Sequence, residues 1–177
     1  MYKRQLEHIT EPLEESIDKA AEHGMAFVTQ TIFLYAEIES YLKNLGAART
    51  KKTYPVRHML EKGVKLALST DAPATSWAVP SDPFPNLKSA VTRIAYDGTD
   101  SGSEQTIDIE TAICLYTRES AQAAGFRNLG QLKPGYKADF VVLSEDILEI
   151  DSSRIDQVFV EETYIKGERV YCYHEKN

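Results

Sequence analysis

The run VKLALS at residues 64–69, followed at once by TDAP at residues 70–73, decides the fold of this chain. The run is short and apolar, and Gly63 separates it from a helical pattern, so it predicts a buried β-strand. A strand that is apolar on both faces is typical of a parallel sheet covered by helices. Asp71 would then lie just beyond the carboxyl end of that strand.

The residues upstream of this strand alternate in the same way. Short strands are predicted at QLEHI (residues 5–9) and MAFVT (residues 25–29). Amphipathic helices are predicted at residues 12–23, 32–45 and 55–62, and a basic loop at residues 49–52. Alternating strands and helices favour an α/β fold with a parallel sheet, in which the carboxyl ends of the strands share one edge.

The residues downstream of the strand change in character at Gly125. Four prolines between residues 71 and 85 predict a long loop, and helices follow at residues 87–94 and, after a cap at Asp108, up to residue 124. Strands are predicted at residues 138–143, 157–160, 163–165 and 169–171, with a Lys166-Gly167 hairpin turn. We therefore predict two parts, an α/β region at residues 1–125 and a β-rich region at residues 126–177.

Charge and composition exclude several classes of function. The chain has 27 acidic and 20 basic residues, a formal charge of −7, which would repel a phosphate backbone, so nucleic acid is not an expected partner. No apolar run suits a membrane span and no signal-like segment follows Met1, so we expect a cytoplasmic protein without membrane contact. No phosphate-binding loop, Gly-x-Ser-x-Gly elbow or zinc-finger spacing is present.

Two residues could carry chemistry at the strand ends. His8 and Asp71 each follow a predicted strand, so both can face one pocket, and both residue types suit a divalent metal. A histidine at a strand end also occurs as a hydrogen-bonded structural residue, and Asp71 would serve equally as a loop or helix cap. Against the cap stands the cost of an unpaired carboxylate at the mouth of an apolar strand.

Five stretches of the chain resemble one family. LALSTDAP at residues 66–73 resembles the last barrel strand of the amidohydrolase superfamily, particularly its amidohydrolase family 3 branch. QLEH at residues 5–8 is similar to the sixth-strand Glu-His element of that family. The other three are DPF at 82–84 with AVTR at 90–93, the helical segment 110–117, and LGQLKPGYKADFVVL at 129–143, which is similar to the family's return strand.

This resemblance implies both a fold and an activity. The fold would be the C-terminal part of a TIM (β/α)8 barrel, strands six to eight with their helices, plus part of a small β-sandwich domain. The activity would be hydrolysis of amide or related C-N bonds in a small-molecule substrate by metal-activated water, with zinc the expected metal, one or two ions in a complete enzyme. Asp71 would be metal ligand and catalytic proton acceptor, and His8 a metal ligand or substrate contact.

The resemblance also suggests three substrate-binding residues. Arg57 stands where the branch usually has an arginine before strand eight. Trp77 and Phe84 lie in the proline-rich loop, which would form one wall of a substrate pocket. Trp77 would serve equally well as a hydrophobic anchor that pins this loop to the body of the protein.

The chain departs from the family in what it lacks. The first-strand His-x-His pair, the strand-four lysine or acid and the strand-five histidine are absent from this sequence, and a closed barrel needs eight strands and about 250 residues. We therefore expect a fragment or a short reading frame that is inactive alone and forms homo-oligomers through exposed sheet edges. The alternative is a noncatalytic interaction or regulatory module derived from an amidohydrolase.

Overall fold

A three-stranded parallel sheet lies in the first half of the chain. The computed structural model describes residues 5–73 and 81–176. The strands β1 (Gln5–His8), β2 (Ala26–Thr29) and β3 (Lys65–Leu68) pair in the order β1-β2-β3, all parallel. The three predicted strands and their parallel arrangement are confirmed.

The helices around this sheet follow the prediction with three differences. They are α1 (Glu14–His23), α2 (Ile32–Ala36), α3 (Ile38–Leu45), α4 (Ala47–Thr50), α5 (Val56–Glu61) and α6 (Phe84–Thr92). The helix predicted at residues 87–94 begins at Phe84, inside the predicted proline-rich loop, and ends at Thr92. The single helix predicted at residues 32–45 is wrong, because the backbone leaves helical geometry at Glu37, where φ is −121°. The loop predicted at residues 49–52 is partly wrong too, since α4 extends to Thr50.

Helix α1 shows how local sequence fixes these boundaries. Glu14 and Glu15 lie in its first turn and His23 in its last, where each charge type interacts favourably with the helix dipole. Gly24 ends the helix in the left-handed conformation, with φ 59°, and its N–H bonds to the carbonyls of the final turn. The chain then turns directly into β2.

One hydrophobic core joins the sheet to the rest of the molecule. Phe27, Leu66 and Leu68 pack against α1 and α5, and all three are almost fully buried. The same cluster includes Ile155 and Val158, which follow position 125, so the core extends across the predicted boundary between the two parts. None of the described helices has both the length and the apolar character needed to span a bilayer.

The helix predicted after Asp108 contains an irregular turn. It consists of α7 (Ile109–Cys114), a π-helical segment (Leu115–Glu119) and α8 (Ser120–Ala123). Asp108 caps it as predicted, since its side chain accepts hydrogen bonds from the Thr111 N–H at 2.7 Å and hydroxyl at 2.8 Å. The π turn lies against β3.

An antiparallel sheet forms the C-terminal region. It pairs β4 (Phe140–Leu143), β5 (Val160–Ile165) and β6 (Glu168–Cys172) in that order. Lys166 and Gly167 both have positive φ, so the predicted hairpin turn is confirmed. The strand predicted at residues 157–160 is wrong except at Val160, which begins β5. Gln157 ends a 3-10 helix (Ser152–Gln157), and Val158 packs into the core.

A polar contact ties α2 and α6 to this 3-10 helix. The Tyr35 hydroxyl donates to Asp156 Oδ2 at 2.9 Å, and Lys88 Nζ lies 2.8 Å from the same oxygen. Burial and the hydrogen bond to Asp156 raise the pKa of Tyr35 to about 12. The protonated phenol is therefore stabilised in the folded state.

We expect the contribution of Tyr35 to stability to disappear at high pH. The unfolded phenol ionises near pH 10 and the folded one near pH 12, so its stabilisation is complete below pH 10 and is lost as pH rises through 12. Urea unfolding of the wild type and Tyr35→Phe, compared at pH 9 and at pH values between 10 and 12, measures this loss. A difference in unfolding free energy that stays constant over this range would contradict the assignment.

Candidate active site at the carboxyl edge of the parallel sheet

The parallel register brings three strand ends to one edge. His8 pairs with Thr29, and Thr29 pairs with Leu68, so the last residues of the three strands form one row. Neighbouring strands are about 4.8 Å apart, which puts β1 and β3 roughly 10 Å from each other at this edge. Asp71 follows Leu68 by three residues, so His8 and Asp71 belong to the same edge of the sheet.

Asp71 lies on the wall of an open cleft. It is half-buried, and its backbone has the left-handed conformation, with φ 59°. The cleft has a volume of about 510 Å³. Side chains that line it with Asp71 include Glu7, Val28, Ala67, Tyr116 and Ser120.

His8 has a different environment from Asp71. Its side chain is exposed, its φ is 69°, and its backbone carbonyl accepts a hydrogen bond from the Thr29 hydroxyl at 2.9 Å. Its ring centroid lies 6.4 Å from that of Phe33. His8 is not among the residues that line the cleft, whereas its neighbour Glu7 is.

Arg57 and Phe84, two of the three suggested substrate-binding residues, are not among the residues that line the cleft with Asp71. Arg57 is exposed on α5, where its Nε bonds Glu61 at 3.0 Å, one helical turn away. Phe84 is a buried member of the hydrophobic core. Trp77 lies outside the described residues. The structure therefore places Arg57 in a surface ion pair and gives Phe84 a packing role.

Two phenols near this edge remain protonated at neutral pH. Burial raises the pKa of Tyr54, and the negative charge of Asp71 is among the smaller causes that act in the same direction. Burial also raises the pKa of Tyr116, which lines the cleft, although a side-chain hydrogen bond with Thr70 opposes this. Both groups can therefore act as hydrogen-bond donors or acceptors but not as anions.

Comparison with known proteins identifies the family. A sequence model of the amidohydrolase family matches residues 1–171. The chain belongs to the amidohydrolase family. It is 30% identical over 161 residues to the YtcJ protein of Bacillus subtilis (strain 168), which covers 89% of this chain and 30% of that protein. It is 27% identical over 154 residues to the N-substituted formamide deformylase of Arthrobacter pascens, covering 85% of this chain and 26% of the deformylase.

Parts of several solved structures have the same fold as this amidohydrolase chain. An uncharacterized metal-dependent hydrolase from Pyrococcus horikoshii OT3 superimposes with a TM-score of 0.72 at 24% identity, covering 86% of this chain and 31% of the hydrolase. A zinc-bound adenosine deaminase from Xanthomonas campestris gives 0.67 at 23% identity, covering 97% and 37%. These neighbours are TIM-barrel proteins, and the chain spans about 30% of the length of the first curated relative above.

The described part of this amidohydrolase does not form a complete metal site. Within residues 5–73 and 81–176, no group of three or more histidine, cysteine, aspartate or glutamate side chains could hold a metal ion. Asp71 and His8 are suitable donors by residue type, yet a catalytic zinc needs three protein ligands. They can therefore supply only part of a ligand set.

The sequence patterns do not identify two further candidate residues, Tyr116 and Asn86. The apolar spacing identifies Tyr116 only as one residue of a helical face. Its place in the cleft depends on contact between the π-helical segment and β3, which is far away in sequence. Asn86 was not singled out, although it is fully buried and bonds the Ser69 carbonyl at 2.9 Å. No local signal could have found either residue, because both contacts are tertiary.

The left-handed backbone at Asp71 can be tested by substitution. A left-handed backbone costs a residue with a Cβ about 1 kcal/mol relative to glycine, so we expect Asp71→Gly to be more stable than Asp71→Ala by roughly that amount. Glu110, on the exposed face of α7, is the control, since there the alanine variant should be the more stable one. Urea unfolding measures all four variants. An alanine variant at Asp71 as stable as the glycine variant would contradict the left-handed assignment.

Proposed function

We propose that this chain is the C-terminal part of a metal-dependent amidohydrolase that hydrolyses amide or related C-N bonds. In this proposal β1, β2 and β3 are strands six to eight of a TIM barrel, and β4–β6 are part of a small β-sandwich, with the boundary near residues 125 and 126. The observation that carries the proposal is the half-buried Asp71 carboxylate on a cleft at the carboxyl edge of a parallel sheet. Active sites of TIM barrels lie at this edge.

The chemical role of Asp71 follows from its position. A divalent metal, zinc in our proposal, would supply Lewis acidity and lower the pKa of a bound water. The Asp71 carboxylate has no hydrogen-bond or ion-pair partner that would hold it away from the cleft among the described contacts, so it can accept a proton from an attacking water and pass it to the leaving amine. His8, at the end of β1 on the same edge but separated from β3 by β2, would contribute a ligand or orient the substrate.

The substrate class is proposed from the relatives. One of them is a deformylase for N-substituted formamides. Several others are 5-methylthioadenosine/S-adenosylhomocysteine deaminases, and two of these match 50% and 54% of this chain but only 20% and 22% of their own length. Both names describe cleavage of a C-N bond in a small molecule. The sequence has no His-x-His pair and the described residues gather no three ligands, so hydrolysis would require ligands from further polypeptide.

Zinc retention tests this function. The chain is purified together with the segment of the Bacillus subtilis relative that precedes the matched region, and zinc is measured by mass spectrometry after gel filtration. We expect about one or two zinc ions per complex. Asp71→Asn should lose most of this zinc because the carboxamide is a much poorer ligand and base.

The control for this experiment is Asp97→Asn. Asp97 is an exposed aspartate whose side chain bonds only the Thr99 N–H in a surface turn, so its variant should retain zinc like the wild type. A complex that co-elutes but contains no zinc would contradict the hydrolase and favour the noncatalytic interaction module. If Asp71→Asn and Asp97→Asn retained equal amounts of zinc, Asp71 would not be a zinc ligand.

Self-association through the sheet edges is part of the same proposal. Leu6 on the edge strand β1 is 46% exposed, and an unpaired edge with an apolar side chain favours pairing with another chain. The opposite edge is partly occupied, because the Leu68 carbonyl on β3 accepts a hydrogen bond from Ser120 at 3.0 Å. β1 is therefore the more available edge.

Sedimentation analysis tests the role of β1. We expect the average mass of the wild type to rise with concentration above the 19.9 kDa of one chain. Leu6→Lys should suppress this rise because a charge at an edge strand opposes pairing. Leu13 is 73% exposed outside the sheet, so Leu13→Lys is the matched control and should associate like the wild type. A monomeric wild type at all concentrations would refute the proposal.

A further inference from the structure

Leu68 and Ser69, which precede Asp71, are held by hydrogen bonds from three other parts of the chain. The Leu68 carbonyl accepts from the Ser120 hydroxyl at 3.0 Å. The Ser69 carbonyl accepts from Asn86 Nδ2 at 2.9 Å, and the Ser69 hydroxyl accepts from Gln30 Nε2 at 2.7 Å. These contacts come from α8, from α6 and from the segment after β2, so three elements converge on two residues.

Asn86 uses both ends of its amide in this arrangement. Its Nδ2 donates to the Ser69 carbonyl, while its Oδ1 accepts from the Thr31 hydroxyl at 2.7 Å. The side chain is fully buried, and a buried amide that is satisfied at both ends has a defined orientation. Asn86 therefore connects the segment after β2 to the segment after β3 without freedom to rotate.

Tyr116 holds the next residue from the opposite side. It lies in the π-helical segment, and π turns are frequent at functional sites because they shift a side chain out of the regular helical register. Its phenol forms a side-chain hydrogen bond with Thr70, the residue immediately before Asp71, and its side chain also lines the cleft. Thr70 itself is buried.

The result of these contacts is a strained residue on a fixed support. Asp71 has a left-handed backbone, and such conformations persist only where the surroundings determine them. Given the proposed role of Asp71, on which this step rests, we infer that Asn86 and Tyr116 are positioning residues that hold the segment Ser69-Thr70 so that the Asp71 carboxylate faces the cleft. Neither residue needs to contact the substrate for this role.

Amide hydrogen exchange at Ser69 tests the inference without any metal. The Ser69 N–H donates to the Thr29 carbonyl at 3.1 Å, so its exchange reports whether the segment before Asp71 stays attached to β2. Tyr116→Phe keeps the ring and removes the hydroxyl that bonds Thr70, and we expect about 10-fold faster exchange at Ser69. Tyr35→Phe removes a similar hydroxyl that bonds Asp156 instead, and should leave Ser69 exchange within about 2-fold of the wild type.

A second pair of variants separates positioning from general stability. Asn86→Asp retains an acceptor for Thr31 but loses the Nδ2 donor to Ser69. Thr31→Val keeps the Nδ2 donor and loses the hydroxyl that donates to Asn86 Oδ1 and to the Asn86 carbonyl. Both should lower the melting temperature. Only Asn86→Asp should also accelerate Ser69 exchange relative to the other amides of the sheet.

The outcomes distinguish this inference from the proposed function. Unchanged Ser69 exchange in Tyr116→Phe and Asn86→Asp, or an equal increase in Thr31→Val and Tyr35→Phe, would overturn the positioning role. In the zinc-retaining complex, Tyr116→Phe should lower zinc affinity about 5-fold relative to Tyr35→Phe, which loses a similar hydroxyl away from Asp71. Absence of zinc from every variant, with the expected exchange pattern, would overturn the hydrolase proposal and leave the positioning of Asp71 supported.

Discussion

The unstaggered register of the three parallel strands is the constraint on which the rest of the structure depends. Side chains alternate between the faces of a strand, so Phe27 and Leu66 face the core while Val28 and Ala67 line the cleft. A slip of one residue would exchange the two sets and turn Phe27 and Leu66 away from the core. Burial of the apolar face therefore fixes where each strand ends, and the position of Asp71 is a consequence of core packing.

Hydrogen bonds from buried polar side chains then define the positions of loop segments that the hydrophobic core fixes only approximately. Arg93 shows the principle: it is fully buried, and its guanidinium donates to the carbonyls of Thr53, Tyr54 and Ser101. Burial lowers its pKa to about 10, so it is still charged at neutral pH. A cation bonded to three carbonyls holds the segment at Thr53 and Tyr54 against the segment at Ser101, as Asn86 holds the segment before Asp71.

Local sequence predicted the three parallel strands and the cap at Asp108, because these depend on short apolar runs and on one side chain next to its own helix. It failed where tertiary contacts decide. The apolar spacing at residues 32–45 continues through the break at Glu37, so the pattern contains no sign of two helices. Val158 has the composition of a strand residue, but it is buried in the core beside α6 rather than paired in a sheet.

The family motifs and the candidate chemistry are informative for different reasons. Gly130, in the most specific of the motifs, has φ 79°, and a Cβ there would lie 2.7 Å from the Thr117 carbonyl, so glycine is required where the following loop crosses the π turn. That requirement concerns packing and would persist in a chain with no activity. Asp71 is a different case, because it lines the cleft with a left-handed backbone and is not part of the hydrophobic core cluster. The fold could therefore be recognised from glycine and apolar positions, whereas the proposed reaction would depend on a few polar residues that the core holds at one edge of the sheet.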